Sequence, residues 1–160
     1  MKRAIISFIS IILLISLASC SQPAYSDVKS ATEVANEIAS AITTENGTKV
    51  LDADAILKIS DTELPYLKDF VMVKANDAKN VNEYGIFKVD ADKTADMSSL
   101  LNVYVENLQK QYRAMQYLPA ETEKVDHATV KIFGCYVVYS FLNERDTEAL
   151  HKAIGDALTK

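Results

Sequence analysis

Few side chains in this 160-residue chain are of the kinds that do chemistry, and their spacing decides what they can do. The histidines are His127 and His151 alone, and neither has a cysteine, histidine or carboxylate at the third or fourth position beyond it. Transition-metal binding needs several such ligands converging, so no metal site is expected there. Asp90, Asp92 and Asp96, with Thr94 between them, fall at positions one, three, seven and five of a calcium loop. Position six, which needs glycine, is Ala95, and position twelve, which needs a bidentate carboxylate, is Leu101. Capping of the following helix accounts for these acids better, and helix and turn caps also account for Asp52, Asp54, Asp61 and Glu63. There is no glycine-flanked serine elbow, phosphate-cradling loop or dinucleotide fingerprint. No catalytic, cofactor-binding or metal-ligating residue is therefore assigned. Cys135 stands among Ile132, Phe133, Val137 and Val138, a setting that suits an inert buried thiol. The alternative is a reactive or intermolecular thiol, but a hydrophobic strand is a poor place to activate a thiolate, with or without a histidine.

Cys20 is different. Lys2 and Arg3 precede an uncharged, mostly apolar run of 14 residues, Ala4 to Leu17. That length suits the hydrophobic region of a signal peptide and falls short of the ~20 residues of a membrane-spanning helix. The run ends in Leu17-Ala18-Ser19-Cys20, which resembles the lipobox of bacterial lipoproteins: an aliphatic residue, two small residues and a cysteine. The resemblance implies that residues 1–19 are a cleaved signal peptide and that the Cys20 thiol receives a diacylglyceryl group. Two acyl chains, at ~0.8 kcal/mol per buried methylene, would then hold the chain on the membrane. Lipidation would also leave Cys135 without a disulfide partner. Residues 20–29, polar with one proline, are expected to form a short tether, and residues 30–160 a single domain.

The chain carries 17 basic and 22 acidic residues, net −5; loss of Lys2 and Arg3 would leave 15 against 22, net −7. An acidic body without basic runs excludes nucleic acid as a partner, and adhesion to anionic lipid through a polybasic patch.

Several elements follow from periodicity. Ser30 and Glu33 stand in capping-box spacing at the head of a helix to about Thr43, stopped by Asn46-Gly47. A short helix is expected over Asp54 to Ile59, and a turn at Leu64-Pro65-Tyr66-Leu67. Phe70 to Lys74 and Tyr84 to Val89 read as strands around a polar loop. The spacing of Met97, Leu101, Tyr104, Leu108, Tyr112 and Met115 predicts a long helix from Thr94 to Gln116 with these six on one buried face, ended by Pro119. Thr129 to Phe133 and Tyr136 to Phe141 form a hairpin around Gly134-Cys135, and Asp146 to Leu158 a last helix. The expected fold is α+β: a four-stranded, largely antiparallel sheet with helices packed on one face. On such a sheet either Tyr136 or Tyr139 must face outward, where it could bind a peptide, glycan or protein.

Glu83-Tyr84-Gly85-Ile86-Phe87-Lys88-Val89, the long helix, Tyr117-Leu118-Pro119-Ala120-Glu121, Val125, Ala128-Thr129-Val130 and Gly134-Cys135-Tyr136-Val137 together resemble an uncharacterised family of small lipoproteins common in Gram-positive bacteria, a domain of unknown function. That family commonly has a polar residue where Cys135 stands. The resemblance implies a surface-anchored domain at the extracytoplasmic face of the cell membrane and transfers no catalytic residue. The expectation is a non-enzymatic binding or assembly module whose partner is an envelope protein or cell-wall component. The alternative is a small enzyme or enzyme-accessory factor acting on envelope material.

Overall fold

The computed structural model describes residues 24–44, 46–115 and 119–159. Residues 1–19 and Cys20 lie outside them. The first helix, α1 (Ala31–Ile38), is capped as the sequence predicts: Glu33 N–H donates to Ser30 Oγ and Ser30 N–H to the Glu33 carboxylate. Asp69 adds a cap from the sheet, its Oδ2 accepting from Ala31 and Thr32 N–H at 2.7 and 3.3 Å. Val34 N–H reaches Ser30 C=O, so the first four donors of the helix are all satisfied.

Five strands follow in one antiparallel sheet: β1 (Thr48–Val50), β2 (Leu67–Ala75), β3 (Glu83–Val89), β4 (Thr129–Phe133) and β5 (Tyr136–Phe141), in the order β1-β2-β3-β5-β4. Between β3 and β4 lie the long α2 (Thr94–Ala114) and a shorter α3 (Pro119–Asp126); α4 (Glu144–Leu158) closes the chain, capped by Asn143. The expected short helix is a 3-10 segment, Ala53–Lys58. Gly134 opens the β4–β5 turn with φ +59°, as a two-residue hairpin with glycine at its first central position requires.

Two expectations are corrected. The sheet has five strands: β1, three exposed residues on the edge, pairs with Val73 to Ala75 of β2. Helices also cover both faces of the sheet. On the first face Val71, Val73, Tyr84, Ile86, Tyr136 and Val138 pack under α1 and α4. On the second face Met72, Phe87, Val89, Val137, Tyr139 and Phe141 pack under α2, α3 and the 3-10 segment. Strand alternation sends successive residues to opposite cores. Every residue of β5 is buried as a result, and neither Tyr136 nor Tyr139 faces outward; both are 0% exposed. Among the described residues no helix is long and apolar enough to cross a membrane.

Candidate functional site

The second core face contains a buried carboxylate. Glu83, the first residue of β3, is 2% exposed. Its Oε1 accepts from Tyr139 Oη at 2.7 Å and Tyr104 Oη at 3.0 Å, and its Oε2 from Lys74 Nζ at 3.1 Å. Lys74 Nζ also donates to Tyr112 Oη at 3.0 Å. Four elements supply this network. Lys74 and Glu83 are cross-strand partners on β2 and β3, Tyr139 comes from β5, and Tyr104 and Tyr112 lie two helical turns apart on α2. Gly85 makes room for it, because a Cβ there would overlap the Tyr139 and Phe87 rings. Tyr139 can thus lie across β3 with its hydroxyl on Glu83.

Electrostatics follow from burial. Desolvation, then the neighbouring Glu83 charge, drives the Tyr104 and Tyr139 hydroxyls far above the ordinary phenol range, so both stay protonated donors. Burial opposes the Lys74 charge, but the Glu83 carboxylate and the Tyr112 hydroxyl outweigh it and raise the ammonium above its usual value. Lys74 is therefore a fixed cation whose side chain is still 31% exposed.

That exposed end opens into a cleft of about 450 Å³. Its polar lining is Lys49 on β1, Lys58 at the end of the 3-10 segment, Lys74, Glu83, Gln111 and the two α2 tyrosines. Leu51, Leu108 and Met115 give it apolar walls, and Met115 is 63% exposed. Lys49 and Lys58 make no ion pair among the described residues, and Glu83, the only carboxylate in the lining, is spent on three donors. On a chain of net −5 this corner carries an excess of positive charge. It can hold an anionic group at its mouth, with apolar atoms against Leu108 and Met115.

The residues singled out from sequence lie elsewhere. Cys135 is a free, buried thiol in the β4–β5 turn, as its apolar neighbours suggest, and burial pushes its ionisation up. Asp90 pairs with Lys68 at 2.9 Å and Asp96 with Lys93 at 3.0 Å. Among the described residues no three His, Cys, Asp or Glu side chains gather in a metal-binding group. His127 is exposed after α3, while His151 leans on Phe133 with ring centroids 5.7 Å apart. The sequence reading placed Tyr104 and Tyr112 on the core face but missed the acceptor they need. A signal existed: tyrosines at core positions bring hydroxyls that must find partners.

Residues 40–142 match the model of a domain of unknown function, DUF4358, over more than half of the chain. The chain belongs to the DUF4358 family. The DUF4358 span runs from before β1 to just past β5 and contains every residue of the cleft, while α1 and all of α4 lie outside it. No curated protein and no solved structure matches the chain.

Proposed function

We propose that this DUF4358 protein is a lipoprotein of a Gram-positive cell envelope. It is anchored through Cys20 to the extracytoplasmic face of the membrane and binds an anionic envelope component without transforming it. Anchoring is supported by Lys2-Arg3, the apolar run and Leu17-Ala18-Ser19-Cys20. Binding rests on one observation: the cleft presents Lys49, Lys58 and Lys74, while its single carboxylate is 2% exposed and already holds three hydrogen bonds. A general base must reach the proton it takes, and Glu83 is closed off by its own donors.

A second reading, a small enzyme acting on envelope material, draws on the same place. Glu83, Lys74 and the tyrosines are titratable groups converging on a concave site, the pattern common at catalytic centres. Two experiments decide. Labelled fatty acid should enter the wild-type protein and not Cys20→Ser; equal labelling of both removes the anchor. Titrating the purified mature domain with glycerol phosphate, followed by NMR, should shift signals around Lys49, Lys58 and Lys74, and Lys49→Glu/Lys58→Glu should abolish the shifts. Unchanged binding by that variant would refute the cleft as the anion site. Release of inorganic phosphate during the titration would favour the enzyme.

A further inference from the structure

A second groove, which shares only Leu51 with the cationic cleft, opens between α1 and the β1 edge, largely on the first face of the sheet. Its volume is about 410 Å³, within the usual range for small-molecule sites. The helix wall is the stripe Thr32, Ala35, Asn36 and Ala39, and its two alanines leave the space open. The sheet wall includes Val50, Val71, Val73 and Tyr84. Val50 is 68% exposed although it is paired with the buried Val73, because α1 stops short of β1.

We infer that this groove binds a small uncharged molecule with an apolar body and one hydrogen-bonding head, such as a medium-chain alcohol. Three observations carry the assignment. Tyr84 lines the groove and is 7% exposed, and its hydroxyl makes no hydrogen bond among the described residues, which leaves it open to a partner in the groove. The lining holds no lysine or arginine, so nothing there attracts an anion. Its single charged residue, Asp69, repels anions and is itself engaged by the Ala31 and Thr32 N–H groups at the head of α1. A cation would compete with those caps; a neutral hydroxyl or carbonyl can pair with Tyr84 and leave them intact. The groove thus differs in chemistry from the cleft on the other face, and the inference stands whether or not the cleft binds anions.

The test is methyl and amide NMR of the mature domain titrated in turn with 1-octanol, octanoate and octylammonium. Octanol should give saturable shifts at Ala35, Ala39, Val50, Val71 and Val73, with octanoate and octylammonium each at least about tenfold weaker. Ala39 is exposed, so Ala39→Phe fills the groove without touching the core and should abolish the shifts, with an unchanged melting temperature showing that the fold survives. Tyr84→Phe should weaken octanol about fivefold, the worth of one hydrogen bond. Unsaturable shifts, equal binding of octanoate or octylammonium, or full binding by Ala39→Phe would each overturn the site. An unchanged affinity in Tyr84→Phe would overturn the role of the hydroxyl.

Discussion

Glu83 shows what a single buried charge asks of its surroundings. Removing an ion from water costs several kcal/mol, and only close partners return that cost. Tyr104, Tyr139 and Lys74 supply them here. Glu83→Ala strands two tyrosine hydroxyls and the Lys74 ammonium, and should lower the unfolding free energy by about 3–5 kcal/mol. Glu83→Gln keeps an acceptor for the tyrosines and should cost less. Urea unfolding of the protein measures both, and a loss below about 1 kcal/mol in the alanine variant would show that the network contributes nothing net. His151 makes a second residue-scale prediction. Burial first, then the Lys131 charge, lowers its pKa to about 4, against ~6.5 when unfolded. Between those values the unfolded chain takes up a proton that the folded chain refuses, so the contribution is complete above about pH 6.5 and lost as pH falls toward 4. The melting temperature should therefore fall more steeply over that window in wild type than in His151→Gln; parallel curves would contradict the shift.

Among the elements, legibility tracked how local the deciding physics is. The Ser30/Glu33 capping box and the glycine hairpin are set by neighbours in sequence, and both stand as read. The stripe of α2 packs inward from Met97 to Tyr112, but Met115, 63% exposed, leaves the core. β1 was missed because three exposed residues carry no alternation; only pairing with β2 makes them a strand. Pro119 was read as the end of the long helix, but it also opens α3, since proline is tolerated in a first helical turn. The two-sided burial of the sheet was written in Tyr136–Phe141, an almost unbroken apolar run that suits a strand buried on both faces. The buried role of Glu83 was not written locally, because its donors come from residues 9 positions before it and 21 and 56 after it. The hairpin turn yields its own prediction. Gly134 sits at φ +59°, and a Cβ there would approach Tyr25 Cβ at 3.0 Å. Gly134→Ala should therefore cost about 1–2 kcal/mol of stability and loosen the contact of Tyr25 with Phe133; the urea midpoint and NMR signals of Tyr25 report the two effects.

For the molecule as a whole, the place where the chain enters the fold fixes how an anchored domain would stand. Tyr25 bridges Thr159 and lays its ring on Phe133, while Lys88 Nζ holds the next residues through the Lys29 carbonyl at 3.0 Å. Cys20 is five residues before Tyr25 and, at ~3.6 Å per residue, at most about 18 Å from it. Under the proposed lipidation, the Gly134 corner of the sheet then faces the bilayer. Lys49 lies on the opposite edge strand, four strand spacings or about 19 Å across the sheet, and near the other end of the strands. Both the cationic cleft and the neutral groove border β1, so tethering would turn them away from anionic headgroups and toward whatever lies beyond the membrane. Spin-labelled headgroups in vesicles carrying the lipidated protein test this orientation. A fluorophore at Lys131→Cys should be strongly quenched and one at Lys49→Cys weakly, in a Cys135→Ala background. Equal quenching at the two sites would mean that the tether does not orient the domain, and stronger quenching at Lys49→Cys would mean that the cleft faces the lipid surface itself.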